Sequence, residues 1–323
     1  MKKYLILLFA FFALSACKTA QDMAMKSADK DFILKVANEK FEKKKWTDAL
    51  ALYERLSNLV AGTDDAPNVV YNSAYANYYD KNYKLAGHQF KNFAVTFPQD
   101  KRAEDASYMS ALCYYEGSMD YNLDQTNTEL AINELQSFLN AFPNSEKSKN
   151  INELIDELTY KLEFKAYENA KQYYKMADYK AANVSFENVL EDFPSTKLRG
   201  KIYEYILKSR YELAVNSVYA LKKDRIENAL SFTKQVERET PDSENGKLAL
   251  ELRDKLNKEK ADFLVLEKKV EASKKEFQEK QKAAELENME KKQAKDESQA
   301  NQIQRDSAAL ATPKPAATFQ IKK

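Results

Sequence analysis

Hydrophobic positions along this chain keep a helical rhythm that a proline resets four times. Ala86, Ala131, Ala182 and Ala229 are each followed twelve residues later by Pro98, Pro143, Pro194 and Pro241. Four residues after each alanine stand Phe90, Leu135, Phe186 and Thr233, and just before each proline stand Phe97, Phe142, Phe193 and Thr240. Three before each alanine come Tyr83, Thr128, Tyr179 and Ile226. A fifth copy at Ala49, with Trp46 and Tyr53, carries Ala61 where the proline would stand. Spacings of three and four place these residues on one face of a helix. A small alanine lets a second helix approach closely, and an aromatic one turn later fills the space beside it. Proline cannot continue the helix and forces the residue before it out of the α region, so each unit stops there. Each unit therefore predicts the second helix of a hairpin, and five units predict ten helices from about residue 29 to 246.

Such units resemble the tetratricopeptide repeat, whose period is about 34 residues. Here the alanines are 37, 45, 51 and 47 residues apart, so the extra residues belong to longer helices or loops. Within the fourth unit Ala166, Ala170, Tyr173, Tyr179, Ala182, Phe186 and Pro194 fall at tetratricopeptide positions. The fold expected is all-α: a tetratricopeptide-like solenoid of about five helix-turn-helix repeats, with a charged C-terminal extension that is helical or disordered.

The N-terminus reads as an address. Met1–Lys3 supplies positive charge, Tyr4–Leu14 an apolar stretch, and Leu14-Ser15-Ala16-Cys17 a cleavage site. The apolar run is shorter than the roughly 20 residues of a membrane span and reads as a signal peptide over 1–16. Small residues followed by cysteine are what a bacterial lipoprotein box requires, so Cys17 is the expected lipidation site and 17–28 a tether off the bilayer. Lys18 stands where many enterobacterial inner-membrane lipoproteins have aspartate, and no acidic run follows Cys17. The expected location is the periplasmic face of the outer membrane, lipid-anchored.

With Cys17 lipidated, Cys113 has no partner for an intramolecular disulfide, and its neighbours Ala111, Leu112 and Tyr114 mark it as a buried apolar thiol. Five glycines in 323 residues leave little room for β-type turns. The 51 basic and 50 acidic residues nearly cancel, which gives no electrostatic case for nucleic acid. The one histidine, His88, has no cysteine or acidic cluster at metal-ligand spacing, and no glycine-rich phosphate loop occurs. No catalytic residue, metal or cofactor is expected, and the chain reads as a binding protein. From about Glu251 lysine and glutamate dominate; this predicts a charged, solvated helix over 247–310, fraying toward a disordered tail at 311–323. Phe263, Val270 and Phe277, seven apart, offer the alternative of a short seam on a partner or on the last repeat.

In a tetratricopeptide superhelix the first helix of each repeat lines the concave face. Alignment on Ala86 puts Tyr71, Tyr75 and Tyr78 there; the third unit adds Tyr108 and Tyr115, and the first adds Phe41. An aromatic-lined concavity suits an extended peptide with aromatic side chains, because tyrosine gives rigid contact area and a hydroxyl. For each ring the competing fate is packing into a neighbouring repeat. Between Glu116 and Thr128 the third unit carries an insertion, from Gly117 to Asn127, whose polar turn formers suggest an ordered loop.

Asp124-Gln125-Thr126 followed by Ala131, Leu135, Phe138, Phe142 and Pro143-Asn144-Ser145 resembles the BamD family, the lipoproteins of the outer-membrane β-barrel assembly machinery. So does the run from Tyr173-Tyr174 through Tyr179 and Ala182 to Glu191-Asp192-Phe193-Pro194-Ser195-Thr196. The resemblance covers about residues 29–246 and the lipoprotein box. It implies a non-catalytic scaffold whose N-terminal repeats bind the aromatic-ending C-terminal strand of unfolded outer-membrane proteins. It also implies that the C-terminal repeats dock on a periplasmic POTRA domain of the barrel-forming BamA subunit. The docking region by this mapping is Tyr179–Phe193 and Lys197–Leu213, with Tyr179, Ser185, Lys197 and Arg199 as candidate contacts. Val184 and Ser185 stand where enterobacterial relatives carry an asparagine-arginine pair, so an ion pair from that arginine is absent or replaced. The alternatives are a repeat lipoprotein of another envelope complex, of the Tol and peptidoglycan-associated kind, and a hydrolase with an unrecognised carboxylate pair. Repeats first and charge last is the reverse of the usual Tol-associated order.

Overall fold

A computed structural model describes residues 20–310, with side chains to 307. The expected leader, Cys17 and the 311–323 tail lie outside the described residues. Among these residues are twelve α-helices, one short 3-10 turn and no strand. In chain order they are α1 (Ala20–Lys26), α2 (Lys30–Glu42), α3 (Trp46–Leu59), α4 (Ala66–Tyr79), α5 (Tyr83–Thr96) and α6 (Ala103–Glu116). Then follow α7 (Thr126–Ala141), the 3-10 turn Glu146–Asn150, α8 (Ile151–Lys175), α9 (Tyr179–Asp192), α10 (Arg199–Val215), α11 (Tyr219–Glu239) and α12 (Glu244–Leu310). The expected all-α repeat fold is what the chain adopts, with α2 to α11 as five consecutive hairpins.

The alanine and proline pattern acts as its spacing predicts. Ala49, Ala86, Ala131 and Ala182 are fully buried, as are Phe90, Leu135 and Phe186 one turn later. Before the prolines, the C-caps of α5, α7, α9 and α11 (Phe97, Phe142, Phe193 and Thr240) take ψ of 59, 57, 71 and 56°. These are the non-helical values that a following proline enforces. The first repeat has no proline and stops differently: Val60 sits at ψ 0° and Gly62 adopts φ 75°.

The chain forms two compact units that divide between Ser209 and Arg210. In the first, buried side chains stack from hairpin to hairpin: Ile33, Leu52 and Leu56 in the first, Phe90 and Phe93 in the second, Leu135, Phe138 and Leu158 further on. The second unit has its own core of Ala214, Ile226, Ala229, Leu230, Leu256 and Phe263, with Tyr211 against it. Inter-helix ion pairs flank that core, Lys222–Glu259 at 2.5 Å and Lys260–Glu227 at 3.3 Å. Phe263 therefore belongs to the last bundle, where its ring lies 5.3 Å from Tyr219; of the seven-residue series Val270 is half-buried and Phe277 exposed. Beyond Val270 every described side chain of α12 is exposed, yet the helix continues unbroken to Leu310, with i,i+4 pairs such as Glu276–Lys280 at 2.7 Å.

The segment expected as a tether is ordered from Ala20. In α1, Ala24 is buried, and Gln21 bonds Asp48 and Lys40 at 3.1 and 2.6 Å.

Three hairpins turn through the same motif. Lys44, Lys81 and Ala177 hold φ of 57, 64 and 59°, the left-handed region. Around each, paired backbone bonds close the helix end; Asn82 N donates to Asn77 O at 2.8 Å and Lys81 N to Tyr78 O at 3.0 Å. This is the Schellman arrangement, which glycine fits without Cβ strain. Lys81→Gly and Ala177→Gly should each stabilise the first unit by about 1 kcal/mol; a urea midpoint that stays put or falls would refute the assignment of strain.

Candidate functional site

The first helices of the second and third repeats, α4 and α6, meet along a row of aromatic and charged side chains. Tyr71 and Tyr75, one turn apart on α4, each donate a hydroxyl hydrogen bond of 2.6 Å to Asp105 Oδ2 on α6. The other carboxylate oxygen accepts from Lys147 Nζ, within the 3-10 turn. Lys147 also lies 5.1 Å from the centroid of Tyr108, so one ion pair links three of the expected tyrosines. Arg102 extends the row: its guanidinium lies 4.8 Å over Tyr71 while its fork binds Asp100 at 2.9 and 2.7 Å.

Electrostatics follow from this geometry. Burial raises the Asp105 carboxyl, but hydrogen bonds from Lys147, Tyr71 and Tyr75 outweigh it and hold the group below the usual aspartate range. Burial, and then the bond to Asp105, push the Tyr71 phenol up to about 12, and Tyr75 moves further in the same direction. Both phenols are thus fixed donors at neutral pH. The row joins half-buried rings and two cations in one hydrogen-bonded frame, with Arg102 over the Tyr71 ring and Lys147 over that of Tyr108.

The remaining expected groove residues lie elsewhere. Phe41 packs edge-on against Trp46 and Tyr53 at 5.3 and 6.3 Å, within the first hairpin. Tyr78 lies toward the α4–α5 turn, 5.5 Å from Tyr79 and 5.7 Å from Tyr83. Tyr115 donates to Glu157 on α8 at 2.8 Å. None of the six is fully exposed, and their rings also serve the packing of neighbouring repeats. Asp105, Lys147 and Arg102 were not singled out by sequence reasoning; the one signal was the acidic pair Glu104 and Asp105 in the first turn of α6, which does not say which of the two gathers the tyrosines.

A concavity of about 510 Å³ lies between α3, α4 and α5. Its walls include Leu50, Tyr53 and Leu85, and an amide pair, Asn77 Nδ2 to Gln89 Oε1 at 2.8 Å, lies across it.

The insertion in the third repeat is ordered by Gln125. Its side chain donates to the carbonyls of Asp120 and Leu123 at 2.8 and 3.1 Å and accepts from Thr128 Oγ1 at 2.8 Å. Tyr121 meets Phe164 of α8 at 4.7 Å, which secures the loop to the next hairpin.

Of the expected docking residues, Tyr179 and Ser185 lie half-buried on α9 and Lys197 is exposed. Arg199 is engaged locally, bonding the Pro194 carbonyl and the Tyr203 hydroxyl. Val184, beside Ser185 on α9, is 49% exposed. Cys113 is buried, and burial pushes its thiol up to about 12. His88 is exposed, and among the described residues no group of three or more His, Cys, Asp or Glu is placed to hold a metal ion. No described helix is long and apolar enough to cross a membrane.

Against this geometry, a family profile described as outer membrane lipoprotein, YfiO, matches residues 26–223. A relative from Caulobacter vibrioides, outer membrane protein assembly factor BamD, is 25% identical over 158 residues, covering 49% of this chain and 52% of its own length. The chain thus spans about half the length of the curated relative it matches.

Proposed function

The chain belongs to the YfiO family of outer membrane lipoproteins, and from that premise we propose that it is a non-catalytic scaffold of outer-membrane protein assembly. Cys17 carries the lipid that fixes it to the periplasmic face of the outer membrane. The second and third repeats hold the aromatic C-terminal segment of unfolded outer-membrane proteins, and α9 with α10 docks a POTRA domain of a BamA-like barrel subunit. The observation that carries the reading is the row Tyr71, Tyr75 and Tyr108 joined through Asp105 and Lys147. A rigid surface of this kind binds an extended peptide at low ordering cost. The relative's name, an assembly factor, supports the same role.

The test is affinity for a peptide ending in an aromatic residue. Tyr71→Ala with Tyr108→Ala is expected to weaken binding about tenfold or more, with helical content unchanged by circular dichroism. Unchanged affinity would remove the row from the site. Cys17→Ala should release the chain from membranes, and a variant that still sediments with them would contradict the anchor. Purification from mild detergent should bring down a stoichiometric POTRA-containing barrel protein. Recovery of Tol or peptidoglycan-associated proteins instead would move the function to another envelope complex.

A further inference from the structure

The described chain begins at one particular edge of the first unit. Lys40 near the end of α2 binds both Gln21 and Asp48, at 2.6 and 2.7 Å, which pins the start of α1 beside the α2–α3 turn. Cys17 precedes Ala20 by three residues, a stretch that reaches about 11 Å at most. An anchor at Cys17 therefore keeps this turn close to the bilayer.

The chemistry of the edge matches that position. Lys43, Lys44 and Lys45 form the α2–α3 turn and are exposed. Trp46 follows them and stacks 4.7 Å from Tyr79, which precedes the α4–α5 turn with exposed Lys81 and Lys84. A hollow of about 530 Å³ between Lys81–Leu85 and Gly117, Met119 and Asn127 joins that turn to the α6–α7 loop. There Met119, Tyr121 and Leu123 are 53, 37 and 49% exposed. Glu42 and Asp80 are the exposed acids at the two turns, Glu116 stands exposed where the loop begins, Asp120 and Asp124 lie on the loop, and Lys43 is 3.9 Å from Glu39. Lysines, ring edges and protruding apolar side chains on one rim are the composition of a bilayer interface rather than of an acidic protein contact.

We propose that this edge, from Lys43 to Lys45 through Lys81 and Lys84 to the tip at Met119–Leu123, rests on the headgroups of anionic phospholipids. The orientation of the repeats then follows from two points, the lipid and the edge. The proposal rests on the anchor at Cys17 for its geometry, but the edge can be tested without it.

Trp46 is the only tryptophan in the chain, so its fluorescence reports on this edge alone. The full chain, lipidated and as Cys17→Ala, is mixed with phosphatidylcholine vesicles with and without phosphatidylglycerol, carrying acyl chains brominated near the headgroup. The unlipidated chain is expected to bind only the anionic vesicles, with Trp46 quenched. Lys43→Gln, Lys45→Gln and Lys84→Gln together should lower its partition coefficient roughly a hundredfold, about fivefold per lysine. Lys44 and Lys81 are left in place because their backbones are left-handed. A lipidated chain that sits on vesicles with Trp46 unquenched overturns the edge and leaves the anchor standing. Failure of the lipidated chain to bind removes the anchor, while the unlipidated chain still decides the edge. Equal binding with and without phosphatidylglycerol, or binding unaffected by the lysine changes, refutes the proposal.

Discussion

Phe90→Ala is expected to cost the second repeat about 4 kcal/mol. The ring is fully buried and lies 4.8 Å from Tyr75 and 6.0 Å from Tyr71, both edge-on. Truncation removes the transfer energy of the ring and leaves a cavity under both tyrosines, so peptide affinity should fall with stability. A repeat array need not unfold in one step, so a local readout is preferable to a global midpoint. Cys113 supplies one: it belongs to the same buried cluster, and in a Cys17→Ala background it is the chain's single thiol. Its labelling by a thiol reagent should accelerate roughly a thousandfold in Phe90→Ala, the factor that 4 kcal/mol of easier local opening implies. Phe90→Leu, which keeps most of the volume, should show far less. Labelling that is unchanged in Phe90→Ala would mean the ring does not hold this hairpin together.

Asp105→Ala should destabilise the junction of the second and third repeats by about 3 kcal/mol. It leaves two phenol donors and the Lys147 ammonium facing one another without an acceptor. The figure sits at the low end for a buried pair because the Asp105 side chain keeps 31% of its exposure. The loss should depend on pH in a definite direction. The folded carboxyl titrates below its ordinary value, so its contribution is complete above the unfolded aspartate range, near pH 4, and fades as pH falls through the depressed value. Wild type and Asp105→Ala should therefore differ at pH 7 and converge in acid. A gap in urea midpoints that stays constant down to pH 2 would show that the carboxylate charge is not what the tyrosines and Lys147 require. Asp105→Asn should fall between the two, keeping an acceptor oxygen but not the ion pair.

The repeat frame was legible because its rules are local. Alanine at a close approach, an aromatic one turn later and proline after the cap all act within about a dozen residues, and they located the second helices of the hairpins. The hub at Asp105 was not legible. Its partners are 34, 30 and 42 residues away, so they meet only once two hairpins have stacked. A tyrosine's hydrophobic spacing gives its face on the helix but not which acceptor its hydroxyl will find. That is why six aromatic residues assigned to one groove divide into a trio linked through Asp105 and Lys147, Tyr71, Tyr75 and Tyr108, and three outside that network. The Asp124-Gln125-Thr126 segment was noticed as a signature, while its physical work, an amide holding two loop carbonyls, needed the folded loop. The short helix within the expected tether left little trace in the sequence, because a run as short as Ala20–Lys26 carries little periodicity and is held by Gln21 reaching α2 and α3.

The free length of α12 has a consequence for cooperativity. About 40 residues, from 271 to 310, form helix with no described tertiary contact, held by backbone bonds and pairs such as Glu276–Lys280, each worth only a few tenths of a kcal/mol. Such a helix escapes the usual nucleation penalty, because the folded turns before Val270 already template its first bond. It is then a propagating end whose boundary wanders with temperature, one residue at a time. On heating, this arm unwinds gradually from its tip while the hairpins remain intact, so a single chain combines a helix–coil equilibrium with a globular one.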